Sequence, residues 1–112
     1  MDQRADVVAT PVEELFDAVA ARLVLERRDV ERDRIFRSEG LRAATGRFFA
    51  FARKGELVVK LAARRVGELV ASGEGEPFFS SGRRMREWVC LRPRDDAACA
   101  AYVEEARAFA TR

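Results

Sequence analysis

The stretch Arg47-Phe48-Phe49-Ala50-Phe51-Ala52-Arg53-Lys54-Gly55-Glu56-Leu57-Val58-Val59-Lys60-Leu61 decides the fold. Two runs rich in aromatic and β-branched residues flank Lys54-Gly55, where a glycine free to take positive φ suits a two-residue hairpin turn. The first run, held between Gly46 and Gly55, is too short and too aromatic for a helix. The two runs are therefore read as antiparallel partners. One face of the hairpin must be buried, and either Phe49 with Phe51 or Phe48 with Ala50 could supply it. Periodicity alone does not choose between them.

Working outward, Thr10-Pro11-Val12-Glu13 reads as a capping box after a short tail of residues 1–9, with proline at the first helical position. Val12, Leu15, Phe16, Val19 and Leu23 follow at spacings of three and four, so a helix should run to about Arg28 with one apolar stripe. Residues 29–37 alternate in charge and read as a solvated connection, with a first strand opening at Ile35-Phe36. Gly40 and Thr45-Gly46 isolate a short segment, Leu41–Ala44. Downstream of the hairpin, a second helix spans about Ala62 to Ser72. Val66, Leu69 and Val70 point inward, and Gly73 supplies the stop. Gly67 inside that helix suggests a close backbone approach. Residues 73–82 read as loop. Glu87–Leu91 is a strand closed by Pro93, and Asp95 caps a last helix with Cys99, Tyr102, Val103, Ala106 and Phe109 as its stripe.

This order predicts a single α+β domain over residues 10–112. It has an antiparallel sheet of about four to five strands flanked by three helices, in the order helix, strands, helix, strand, helix. A length of 112 residues with 48% hydrophobic and 36% charged residues suits one globular domain with a real core. Nothing approaches the roughly 18 apolar residues needed to span a bilayer. The N-terminus carries no basic, apolar leader. A cytoplasmic protein without membrane attachment is the expectation.

The absence of histidine removes Ser-His and Cys-His nucleophile pairs, imidazole bases and His-ligated metals. Cys90 and Cys99 are too few for a zinc site and read as free, packed thiols in a reducing compartment. Gly73-x-Gly75 lacks a third glycine and follows a helix, so it is no dinucleotide fingerprint. The acid pairs Glu13-Glu14, Asp95-Asp96 and Glu104-Glu105 read as helix-end and helix-surface charge. Ser80-Ser81 has no base to activate it. No catalytic set, metal or cofactor is expected.

Lys54 and Lys60 are the only lysines, so 19 of the 21 basic residues are arginine, a bias that a GC-rich genome explains most simply. The net charge of +2 is far from that of most nucleic-acid binders. Even so, Arg83, Arg84, Arg86, Arg92 and Arg94 stand against Glu87 alone and surround Trp88, the one tryptophan. Arginine forks suit phosphate or carboxylate, and an indole can stack a base. The plainer reading turns Trp88 into the core and leaves the arginines on a solvated strand edge. Lys60, isolated in an apolar strand, is a sixth candidate for anion or ligand binding, although its stem can equally lie over the sheet with its head in water.

Several of these segments together resemble the TfoX N-terminal domain family. They are Phe48-Phe49-Ala50 after Gly46-Arg47, Leu57-Val58-Val59-Lys60-Leu61, Glu76-Pro77-Phe78, and Met85-Arg86-Glu87-Trp88-Val89. The family's pattern is a Met-Phe-Gly-Gly element, a Gly-Lys-x-Phe-Ala strand, a Leu-x-x-Lys strand, a helix and a Met-x-x-Trp strand. The match runs over about residues 33–110. It departs at Ile35-Phe36-Arg37-Ser38, where the paired glycines are missing. The family's founding member also carries a separate C-terminal helical domain. The resemblance implies an α+β bacterial domain with helices against an antiparallel sheet, in a family whose founding member regulates natural competence; it brings no catalytic residues. The function expected is a small non-enzymatic interaction or regulatory module, either a homodimer or bound to a protein partner. The alternative is nucleic-acid or anionic-ligand binding through the arginines, which the overall charge does not favour.

Overall fold

The hairpin about Lys54-Gly55 forms as expected, within a larger sheet. A computed structural model of the protein describes residues 11–112, so the tail of residues 1–9 and the Thr10 cap lie outside the described residues. Three helices and six strands follow in the order α1 (Pro11–Glu26), β1 (Val30–Ile35), β2 (Ser38–Ala43), β3 (Phe48–Arg53), β4 (Glu56–Lys60), α2 (Ala63–Ser72), β5 (Gly75–Ser80), β6 (Arg83–Leu91) and α3 (Asp96–Ala110). The strands form one antiparallel sheet in the order β1-β2-β3-β4-β6-β5. The α+β class and the three helices agree with the sequence reading.

The strand count of four to five is too low, and the missed strands are the two edges. β1 reads Val-Glu-Arg-Asp-Arg-Ile and carries charge on both faces. Arg32 bridges Asp17 of α1 at 2.9 Å and Glu39 of β2 at 3.1 Å, so its charges are paired across elements and not simply solvated. Ile35 ends β1 and does not begin it. β5 contains Pro77, which a strand tolerates only at an edge, where its missing N–H leaves no ladder bond unmade. The segment between α2 and α3 is thus a hairpin, and β6 begins at Arg83, four residues before the expected strand.

The sheet buries both faces. α1, α2 and α3 cover one, closing over Leu41, Phe49, Ala50, Leu57, Val59, Val89 and Leu91. Each such aliphatic or aromatic side chain contributes roughly 1.5–3 kcal/mol on burial. Among the described residues no helical one joins the core on the other face, which is Phe51, Val58, Phe78, Trp88 and Cys90, with Ile35, Phe36, Phe48 and Met85 packed at its margin. Two bidentate ion pairs tie the helices together on the covered side, Arg22–Asp96 (3.1 and 2.8 Å) and Arg65–Glu105 (2.8 and 3.4 Å).

Neither pairing offered for the hairpin face is correct, because the β2–β3 register shifts. Leu41 stands opposite Ala50 and Arg42 opposite Phe48, leaving Phe49 as an extra residue. A bulge breaks the strict alternation of a strand. Phe49 and Ala50 therefore both face the helices, while Phe48 and Phe51 serve the opposite side.

The close backbone approach expected at Gly67 is not there: a Cβ at that position would meet nothing within 4 Å. It occurs at Gly40. A Cβ on Gly40 would lie 2.7 Å from Ile35 Cγ2, 2.8 Å from the Ala50 carbonyl oxygen and 3.2 Å from Phe51 Cβ. The empty place lets the tip of the β1–β2 hairpin fold onto the open face. That tip is Phe36-Arg37, with φ of 49° and 65°. Both central residues at positive φ are the mark of a type I′ turn, which Asn-Gly makes cheaply and two ordinary L residues make under strain. The other two-residue hairpin turns, Lys54-Gly55 and Ser81-Gly82, place glycine at the second position.

Arg37→Gly should therefore raise stability by about 1 kcal/mol. Gly40→Ala should lower it by roughly 1–3 kcal/mol, because the carbonyl it meets belongs to a central strand and cannot yield. Thermal or urea unfolding beside the parent protein checks both signs.

Candidate functional site

The six candidate cations occupy three separate places. Lys60 lies on the open face opposite Trp88 in the β4–β6 register. Its Nζ sits 5.9 Å from the indole centre and 3.9 Å from Glu87 Oε1. The side chain is 29% exposed, which matches a stem laid over the sheet with its head at the water. Beneath it Trp88 is only 7% exposed. The indole is packed and presents no free stacking platform.

Trp88 belongs to a four-ring cluster with Phe36, Phe51 and Phe78. All six ring pairs fall between 5.6 and 6.4 Å, in tilted or edge-on geometry. Rings at such distances gain from quadrupole alignment as well as from burial. Cations roof the face: Arg53 stands 5.5 Å above Phe78 and Arg42 5.9 Å above Phe48. Arg42 is held by Glu31 at 2.7 Å and Asp33 at 3.2 Å.

Arg83, Arg84 and Arg86 are exposed on the first half of β6. Arg92 and Arg94 lie past its other end, with Arg92 roughly 20–30 Å from them at strand spacing. Five arginines that crowd one stretch of sequence therefore form no single patch. β5 and β6 also lose register between Pro77 and Phe78, so Pro77 faces Val89 while Phe78 faces Met85. Arg86, Glu87 and Trp88 have no β5 partner, and the extra residues bend the strand there.

Arg92 and Arg94 enter a cleft of about 620 Å³, larger than two further clefts, of about 400 and 150 Å³. Lys60 and Arg83–Arg86 do not line it. The α2–β5 turn and the start of β5 form one wall (Gly73, Glu74, Gly75, Glu76). The β6–α3 connection and α3 form the other (Arg92, Pro93, Arg94, Asp95, Ala98, Tyr102), with Glu56 and Cys90 between them. The local structure is rigid. Gly73 closes α2 at φ 85°, its N–H bonding to the Val70 carbonyl, and Asp95 caps α3 by accepting from Ala98 N at 2.9 Å. Gly75 has no room for a side chain, since a Cβ there would lie 2.7 Å from Val89 Cγ2.

Glu56, Glu74, Glu76 and Tyr102 are cleft residues that the sequence reading passed over as site residues. Their signal was weak, because Gly73-Glu74-Gly75-Glu76 looks like any polar turn until α3 is laid beside it. Within the cleft, Glu56 accepts from Arg92 at 3.2 Å. Glu74 accepts from Ser72 Oγ at 3.1 Å.

Both cysteines are free and buried, as read from the sequence. Burial pushes the Cys90 thiol up to about 12, with the neighbouring Glu56 and Glu76 carboxylates adding to the shift. Cys99, packed under the helices, is pushed up to about 11 by burial and then by Asp96. Thiols so displaced stay protonated near neutral pH and are poor nucleophiles.

Compared with known proteins, the chain matches no family model, and no curated protein matches it.

Two measurements follow from this geometry. Trp88→Ala should cost about 3–5 kcal/mol of stability, as loss of a large buried aromatic does. The triple change of Arg83, Arg84 and Arg86 to alanine should leave the melting temperature nearly unchanged. Iodoacetamide at about pH 8 should label neither cysteine in the folded protein at an appreciable rate and both after unfolding, as mass spectrometry would record.

Proposed function

We propose that this chain is a small non-enzymatic interaction module that self-associates as a homodimer. The regulatory role and bacterial setting of this reading follow from its resemblance to the TfoX N-terminal domain, and the cytoplasmic setting suits its two free cysteines. The observation that supports it best is the sheet face without helices. Ile35, Phe36, Phe48 and Met85 remain only partly buried there, around a packed aromatic centre. Apolar residues grouped on one face around a rigid core suit protein contact better than they suit a reacting group.

A second copy of the chain is the partner that fits. Glu31 and Asp33 lie toward the β1 edge of this face and share the one Arg42, which leaves that side acidic, whereas Arg53 and Lys60 lie over β3 and β4 with Glu87 beside Lys60. A two-fold axis along the strands sets the acidic side of one copy over the cationic side of the other, as a self-complementary dimer interface requires. No helix among the described residues is long and apolar enough to cross a membrane.

Sedimentation velocity and native mass spectrometry at high micromolar concentration should show a dimer. Phe48→Glu and Met85→Glu should convert it to monomer while circular dichroism stays native. A parent chain that is strictly monomeric at that concentration overturns self-association.

A further inference from the structure

We infer that the cleft between the α2–β5 turn and the β6–α3 connection binds a small zwitterion carrying one ammonium and one carboxylate group. Its volume of about 620 Å³ lies inside the range of roughly 300–1,000 Å³ usual for small-molecule clefts. Glu56 pairs with Arg92. Glu74 and Asp95 keep their charge but are held in their own turns, by the Ser72 hydroxyl and the Ala98 N–H. Arg94 and Glu76 have no such anchor. Both are exposed, they face the same space from opposite walls, and neither side chain makes an ion pair or hydrogen bond with a described residue.

Two opposite charges that share a cleft without pairing to each other are complementary to a molecule that bears both signs. A simple cation would satisfy Glu76 and bring its charge toward Arg94; a simple anion would do the reverse. Only a ligand with both groups satisfies the two together, and a site built for a charged partner discriminates against ligands that lack it. Pro93, Ala98 and the half-buried Tyr102 give the ligand's apolar body a wall to lie against. The walls need little rearrangement, because the Gly73 stop, Pro93 and the Asp95 cap hold both turns. Free amino acids and short peptides share this chemistry.

Titration of the 15N-labelled full chain with alanine, trialanine, N-acetyl-trialanine and trialanine amide tests the inference. Trialanine should shift the amide signals of residues 73–76 and 94–98 at millimolar concentration. Blocking either terminus should weaken binding about tenfold, the size of one charge-assisted hydrogen bond. Arg94→Ala should bind trialanine and its amide equally, and Glu76→Gln should bind trialanine and its N-acetyl form equally. Both positions are exposed, so the folded spectrum should be retained. Alanine binding as tightly as trialanine assigns the site to free amino acids, and tighter binding of trialanine assigns it to peptides. Equal shifts from the blocked peptides and the free one, or no shift from either zwitterion at about 10 mM, overturns the inference.

Discussion

A six-stranded sheet with helices on one side only has a second face to hide, and in this protein it hides that face with its own hairpins. The four-ring contact of Phe36, Phe51, Phe78 and Trp88 is the interaction on which the arrangement depends. It gathers residues from the β1–β2 turn, β3, β5 and β6, so both edge hairpins are tied to the middle of the sheet by one cluster. Gly40 makes the contact sterically open, and the left-handed backbone at Phe36 and Arg37 is its cost. That cost of roughly 1–2 kcal/mol per residue is comparable with what a few aromatic pairs return.

The bulge at Phe49 performs the matching task on the helix side. A strand that kept strict alternation would send Phe49 to the same face as Phe51 and put Phe48, Ala50 and Ala52 beneath α1 and α3. One extra residue instead seats Phe49 beside Ala50 under the helices and returns Phe48 to the face of Phe51. The second irregularity, opposite Arg86–Trp88, bends β6 where the indole turns into the cluster. Both departures from a regular ladder thus lie beside the aromatic side chains that they aim.

Charge is distributed by the same geometry. Arginines adjacent in sequence are parted by the length of β6. Acids scattered through the chain, Glu56, Glu74, Glu76 and Asp95, meet in one cleft with Arg92 and Arg94. Elsewhere arginine serves structure, as in Arg22–Asp96 and Arg65–Glu105 between helices and in Arg42 with Glu31 and Asp33 across strands. These exposed pairs orient their elements and add little stability each.

The sequence by itself determined whatever depends on near neighbours. The three helices follow from apolar stripes at spacings of three and four, and the stop at Gly73 and the start at Asp95 follow from backbone freedom and a capping carboxylate. The central hairpin is legible because Lys54-Gly55 satisfies its own turn. Tertiary structure decided the rest. The edge strands β1 and β5 hold charges and a proline that have a place only beside a neighbouring strand or helix, so no local pattern marks them. The face that each phenylalanine of β3 takes depends on a register shift between Leu41 and Arg42 of β2, opposite Ala50 and Phe48, which composition cannot express. The cleft exists because α3 returns beside the α2–β5 turn. A ligand site built from positions 56, 73–76 and 90–102 is a property of that packing, since the residues that make it are strangers along the chain.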